Sequence, residues 1–342
     1  LDAGNADKML AQLADEDHET DWGMRIISSR WPQYSGGGYH YGSVWPLFTG
    51  WAAVAEYRYH RPFAGYANLR ANALLALDGS LGHVTEVLSG DNYEPLSGSS
   101  PHQIWSAAMV ISPVLRGLLG LQVDATNRSI VLAPHVPEDW NSFAVKNVGV
   151  GEAKLDFSYR RTADEITLEV KKTGTSDCAV NFRPAVSLRA EVVGVELNGK
   201  RLAYRVQTSD VDQHVETTFS ATAGANTLRI RLRGDFGISY APELPPLGSP
   251  SRGLRVLSET WEAARGSLTL DIAGAAGTTY ELGVRNSEQI ASVDGGEIKK
   301  NAEGLTRLRV AIPTNGDEAY PHTKATIHFI EPRSMGKRPQ RP

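Results

Sequence analysis

Near Gln122 the hydrophobic pattern of this chain changes period, and that change limits the folds open to it. Before it, apolar residues recur at intervals of three and four, as on one face of a helix. Met9, Leu10 and Leu13 have this spacing, and so do Trp45, Phe48, Ala52, Ala55 and Tyr59. A further helix is predicted over 63–77 with Leu69, Ala73, Leu74 and Leu77 inward. A last one opens at Ser100-Pro101 and runs through Ile104, Ala108, Ile111, Leu115 and Leu118, kinked at Pro113. Ser43 is the expected cap of the second helix, with Pro46 tolerable in its first turn. After Gln122 the period is two. Strands are predicted at 129–132, 153–159, 166–170, 187–197 and 228–232, with Asn198-Gly199 as a type I′ hairpin signal. A second series follows at 254–257, 267–272, 279–284, 305–312 and 326–330. The predicted fold class is α+β multidomain. Helices occupy 1–121, an antiparallel β-sandwich 122–240, a proline-rich linker 241–250, a second small β module 251–331, and a disordered basic tail 332–342.

A chain of 342 residues can hold two or three cores. Its formal net charge of −4 is small and argues against nucleic acid as a partner. No run of 18 or more apolar residues is present, so no membrane partner is expected, and compartment stays open. A single cysteine, Cys178, excludes internal disulfides and reads as a small buried hydrophobe. The chain opens on Leu1-Asp2-Ala3-Gly4 and runs straight into a helical pattern, which reads as the C-terminal part of something longer.

Aromatic residues crowd the first third, where five of the seven tryptophans precede Ser106. The segment Tyr39-His40-Tyr41-Gly42-Ser43-Val44-Trp45-Pro46 sets two tyrosines, a histidine and a tryptophan around a glycine. Aromatic faces stack on the apolar faces of sugar rings, and His and Tyr edges supply polar partners. Asp21-Trp22-Gly23-Met24-Arg25 precedes it. Glu86, then Asp91-Asn92-Tyr93-Glu94-Pro95, then Ser100-Pro101-His102-Gln103-Ile104-Trp105-Ser106-Ala107-Ala108 follow it. Residues 79–100 form a long loop of Gly, Ser, Asn, Asp and Pro, a length usually kept for function.

These four elements, in this order, resemble the C-terminal half of the catalytic barrel of amylo-α-1,6-glucosidase-like glycogen debranching proteins. Those belong to the six-hairpin glycosidases, with glucoamylases, trehalases and the processing α-glucosidases of glycoside hydrolase family 63. The resemblance covers about 21–120. It implies the C-terminal part of an (α/α)6 barrel, with the rest supplied by an N-terminal part of the same enzyme. Tyr41 stands where the family usually has Asn, and His102-Gln103-Ile104 where Gln-Ala is usual, so sugar and linkage stay open.

Glycoside hydrolysis needs two carboxyls about the scissile bond. By the resemblance Glu86 matches the family's Glu at the general-base position. Asp91 is the alternative, because it aligns with the acidic residue of the Glu-Asn-Tyr-Asn-Pro element of family 63, where the base is also placed. Asp21, Trp22, His40, Tyr41, Trp45, Tyr93, His102, Gln103 and Trp105 are the implied substrate-binding residues. The general acid is expected outside this chain. His40 has no second ligand at metal-binding spacing, and no metal or cofactor is assigned. No nucleophile elbow and no phosphate loop is present.

The resulting expectation is an inverting exo-α-glycosidase of the debranching or α-glucosidase type, acting on an oligosaccharide or α-glucoside. Alternatives are a trehalase- or α-rhamnosidase-like enzyme, or a non-catalytic carbohydrate-binding or structural β-sandwich fragment.

Overall fold

The computed structural model describes residues 3–314 and 318–330. The tail from Pro332 lies outside the described residues.

Four α-helices fill the first third: α1 (Ala3–Leu13), α2 (Pro46–Arg58), α3 (Pro62–Leu75) and α4 (Ile104–Pro113). They form no closed barrel among the described residues. Helix α2 begins with Pro46, whose missing N–H costs nothing in a first turn. Its cap position is Trp45 without a side-chain cap bond. Ser43, the expected cap, instead donates to Tyr39 O at 2.6 Å and accepts Trp45 Nε1 at 3.0 Å. Helix α3 buries Leu69 and Leu75, while Leu77 lies exposed beyond its end, so the inward stripe is offset from the one predicted. The last helix begins at Ile104, three residues later than Pro101 suggested, because the Gln103 side chain caps it by accepting Ile104 N at 3.0 Å. At its far end Pro113 leads into a π-helical turn, Val114–Leu118, where Leu119 N reaches Val114 O at 2.9 Å. Proline supplies no N–H at that point, and the wider turn accommodates the disruption.

The first pair of sheets follows. One runs in the order Lys200–Arg201, Glu191–Leu197, Gly224–Arg233, Glu165–Thr173, Ala153–Arg161, Ser142–Val150. The other runs Arg205–Thr208, Asp212–Ser220, Ala179–Phe182, Ser129–Leu132, Gln122–Asp124, with Ala185–Ser187 also pairing to Asp212–Ser220. Alternation drives this layering: Leu155, Phe157, Ile166, Leu168, Val170, Leu228 and Ile230 all point inward and are fully buried. One pair departs from the antiparallel expectation, since Ser129–Leu132 and Ala179–Phe182 run parallel. Asn198 and Gly199 both have positive φ, as a type I′ turn requires. Ala53, Tyr57, Tyr66, Leu69 and Leu118 join this core, so α2, α3 and the π turn pack onto the sheets.

The second pair comprises Gly237–Ser239, Thr279–Arg285, Thr306–Ala311, Glu297–Lys300 and, opposite, Arg255–Trp261, Ser267–Ala273, His322–Phe329, Ile290–Asp294. Gly237–Ser239, assigned from sequence to the first β unit, pairs with Thr279–Arg285 of the second. The proline-rich stretch after it lies against the helices. Tyr93 N bonds Ser249 O and Gly248 N bonds Tyr93 O, both at 2.9 Å, and Leu244 packs beside Trp22 and Leu88.

Candidate active site

Three short backbone pairings build the platform: Arg25 with Val44, Val44 with Leu88, and Leu88 with Pro95. The long loop is therefore extended and anchored at its centre, with Val84, Val87 and Leu88 buried. Between Val84 and Val87 the chain presents Glu86, half-buried. Its backbone N donates to Ser100 O at 2.9 Å, which ties the loop to the approach to α4. Gly42 makes the preceding turn possible. Its φ is +136°, and a Cβ there would strike the Tyr34 ring.

The Tyr39 hydroxyl donates to Glu86 Oε1 at 2.8 Å, and Ser100 N reaches Oε2 at 3.3 Å. Each carboxylate oxygen keeps a lone pair free. The hydrogen bond to Glu86 holds the Tyr39 hydroxyl above its ordinary pKa, so it remains a donor. The Tyr39 ring meets His40 edge-on at 4.7 Å and Trp45 edge-on at 4.9 Å, and His40 stacks parallel on Trp45 at 5.9 Å. Trp45 is buried, with its Nε1 bonded to Ser43 Oγ, while Tyr39 and His40 are exposed. The result is a carboxylate beside a ledge of aromatic rings.

The other implied residues divide into three groups. His102 is exposed, its ring 4.1 Å from His83, two residues beyond the Ser100 that touches Glu86. Tyr41 and Trp105 are exposed at 56% and 40%. Asp91 turns to a different partner: its Oδ1 accepts the Tyr34 hydroxyl at 2.8 Å, and its carboxylate lies against Gly36, where a Cβ would collide with it. It lines a depression with Glu16, Arg25, Arg30 and Arg252.

Asp21, Trp22 and Tyr93 are buried and bonded within the protein, and Gln103 caps α4 from a partly exposed position. Trp22 is fully buried, with Nε1 donating to Ser89 O at 2.8 Å, and packs on Tyr93 at 5.8 Å. Tyr93 is also buried, its hydroxyl on Asp78. Asp21 spends both oxygens on the chain after the proline-rich stretch: Arg252 N at 2.6 Å, Gly253 N at 2.9 Å and Arg255 Nη2 at 2.7 Å. Gln103 uses its amide oxygen as the helix cap. Tyr39 and Ser100 were missed as partners of Glu86. Tyr39 stood in the singled-out octapeptide, but nothing in a sequence says which loop it faces.

No family model and no curated protein matches the chain. Fifteen chains of solved structures do. One is an α-L-rhamnosidase from Dictyoglumus thermophilum, at 10% identity and a TM-score of 0.40, covering 54% of this chain and 21% of that one. Another is a GH127 β-L-arabinofuranosidase from Geobacillus stearothermophilus T6, at 8% identity and a TM-score of 0.37, covering 96% of this chain and 56% of that one. The chain therefore spans about a fifth of the first and just over half of the second. Both of these structural neighbours are glycoside hydrolases.

Proposed function

We propose that Glu86 is the general base of a glycoside hydrolase that inverts the anomeric centre of an α-glucoside or oligosaccharide. The observation that carries this reading is the setting of its carboxylate. It sits on a loop tied at both sides and is oriented by the hydroxyl of Tyr39 at 2.8 Å, whose ring packs edge-on against His40 and Trp45. A sugar ring resting on the exposed Tyr39 and His40 rings would bring its anomeric carbon near the carboxylate. Glu86 would take the proton of the attacking water, while a second carboxyl protonates the leaving oxygen across a gap of about 6.5–9.5 Å. We place that acid on the N-terminal part of the same enzyme, as the resemblance implies. Asp91 lines a depression whose walls include Glu16, Arg25, Arg30 and Arg252 and none of Tyr39, His40 and Trp45, which supports Glu86 over Asp91 as the base.

The test uses the complete enzyme with malto-oligosaccharides and aryl α-glucosides. Glu86→Gln should lose about 10²–10⁴-fold in kcat with binding nearly kept, since the amide cannot accept the proton. Asp91→Asn should lose much less. Proton NMR of the first turnovers should show the β anomer. An active Glu86→Gln, or early accumulation of the α anomer, would remove both the base assignment and the inverting mechanism.

A further inference from the structure

Far from the aromatic ledge, three histidines converge on one carboxylate. His60 Nδ1 lies 3.0 Å from Asp212 Oδ2, His135 Nδ1 lies 3.3 Å from it and His214 Nε2 lies 3.5 Å from it. Four ligand atoms bonded to one zinc-class ion at roughly 2.0–2.1 Å sit about 3.4 Å from one another. The nitrogens of His60 and His214 thus stand near the edge length of a coordination tetrahedron from one Asp212 oxygen, while His135 approaches the same oxygen from outside the group. The donor atoms of His60, Asp212 and His214 all lie within 4.8 Å of one another. The imidazoles do not stack. His60 meets His214 at 78° and His135 meets His214 at 80°.

His214 and Asp212 are also oriented from behind, as metal ligands usually are. His214 Nδ1 is 2.8 Å from Arg183 O, which fixes the proton on that nitrogen and leaves the lone pair on Nε2, the atom facing Asp212. The hydroxyl of Ser209 donates to Asp212 Oδ1 at 2.7 Å. Asp212 and His214 stand two apart on one strand and so share a face. His60 sits just past the end of α2 with φ +59°, a backbone conformation that favours glycine.

We propose that His60, Asp212 and His214 bind one divalent transition-metal ion of the zinc class, with solvent completing the coordination. The ligands come from the exit of α2 and from Asp212–Ser220. An ion there would cross-link the helices to the first pair of sheets, a structural role separate from the carbohydrate chemistry.

The full chain, stripped with chelator, is titrated with Co²⁺ and with Zn²⁺. Co²⁺ should bind one per chain with the intense visible absorption of a tetrahedral site, Zn²⁺ should displace it, and the melting temperature should rise with added Zn²⁺. His214→Gln and the half-exposed His60→Gln should each weaken binding at least tenfold and remove the tetrahedral spectrum. His322→Gln, which alters the Asp15, Glu16 and His322 group, should bind like the parent. Absence of stoichiometric binding, an octahedral Co²⁺ spectrum, or parental binding by His60→Gln and His214→Gln would overturn the proposal. So would loss of the site in His322→Gln.

Discussion

At the scale of single residues, carboxylates that look alike in sequence have taken different roles. Glu86 keeps a lone pair free beside aromatic rings, whereas Asp21 is consumed by two backbone N–H groups and a buried guanidinium. Tyr39→Phe should lower kcat about ten- to a hundredfold, less than Glu86→Gln, because the base loses its orienting hydrogen bond but not its chemistry. An unchanged kcat would show that Tyr39 does not orient it. Asp21→Asn should behave differently. It leaves Arg255 buried without its charged partner, and stability should fall by about 3–5 kcal/mol with substrate affinity unchanged. Urea unfolding measures the first and inhibitor titration the second. A selective loss of affinity would restore Asp21 to the binding site.

At the scale of elements, the period of the apolar pattern was enough to place helices before Gln122 and strands after it. It also found Ala153–Arg161, Glu165–Thr173 and the Asn198-Gly199 turn. It did not show the parallel pairing of Ser129–Leu132 with Ala179–Phe182, because pairing partners distant in sequence leave no local trace. The roles of Trp22 and Tyr93 were hidden for a related reason: an aromatic beside a polar motif reads alike whether it lines a pocket or fills a core. Helix α4 shows what remains uncovered. Its buried residues are Ser106 and Pro113, while Ile104, Trp105 and Ile111 are exposed. Apolar surface of this kind promotes association. The chain by itself should therefore self-associate at micromolar concentration, and Trp105→Glu with Ile111→Glu should return it to a monomer at unchanged melting temperature. Sedimentation velocity decides this, and a monomeric parent would refute it.

For the whole molecule, buried acids set the response to pH. Burial pushes Glu19 and Glu56 up to about 8, against the opposite pull of Arg255 on Glu19 and of Arg61, whose Nε lies 3.0 Å from Glu56 Oε2. The folded chain then holds protons that the unfolded chain releases near the ordinary value of 4.5, so stability falls as pH rises from about 4.5 to about 8. Asp235 acts in the opposite sense. Burial opposes its charge, but Arg161 and Arg285 outweigh that and hold it below its ordinary value, so its contribution is lost as pH falls through the acid range. The melting temperature should peak near pH 5, and Glu56→Gln should flatten the decline toward pH 8. A melting temperature that climbs steadily from pH 5 to 8 would contradict this.

The clasp between Asp21 and Arg252 spans 231 positions of chain. On a ribosome adding roughly 5–20 residues per second, the partner of Asp21 emerges about 10–50 s after it. Through that interval Trp22 and Leu88 lack the cover of Leu244, and the Glu86 loop lacks the strap that binds Tyr93. The aromatic ledge is written early in the chain and finished late in its synthesis, so a nascent chain released before residue 255 would carry every residue of the ledge without the last contacts that hold it in place.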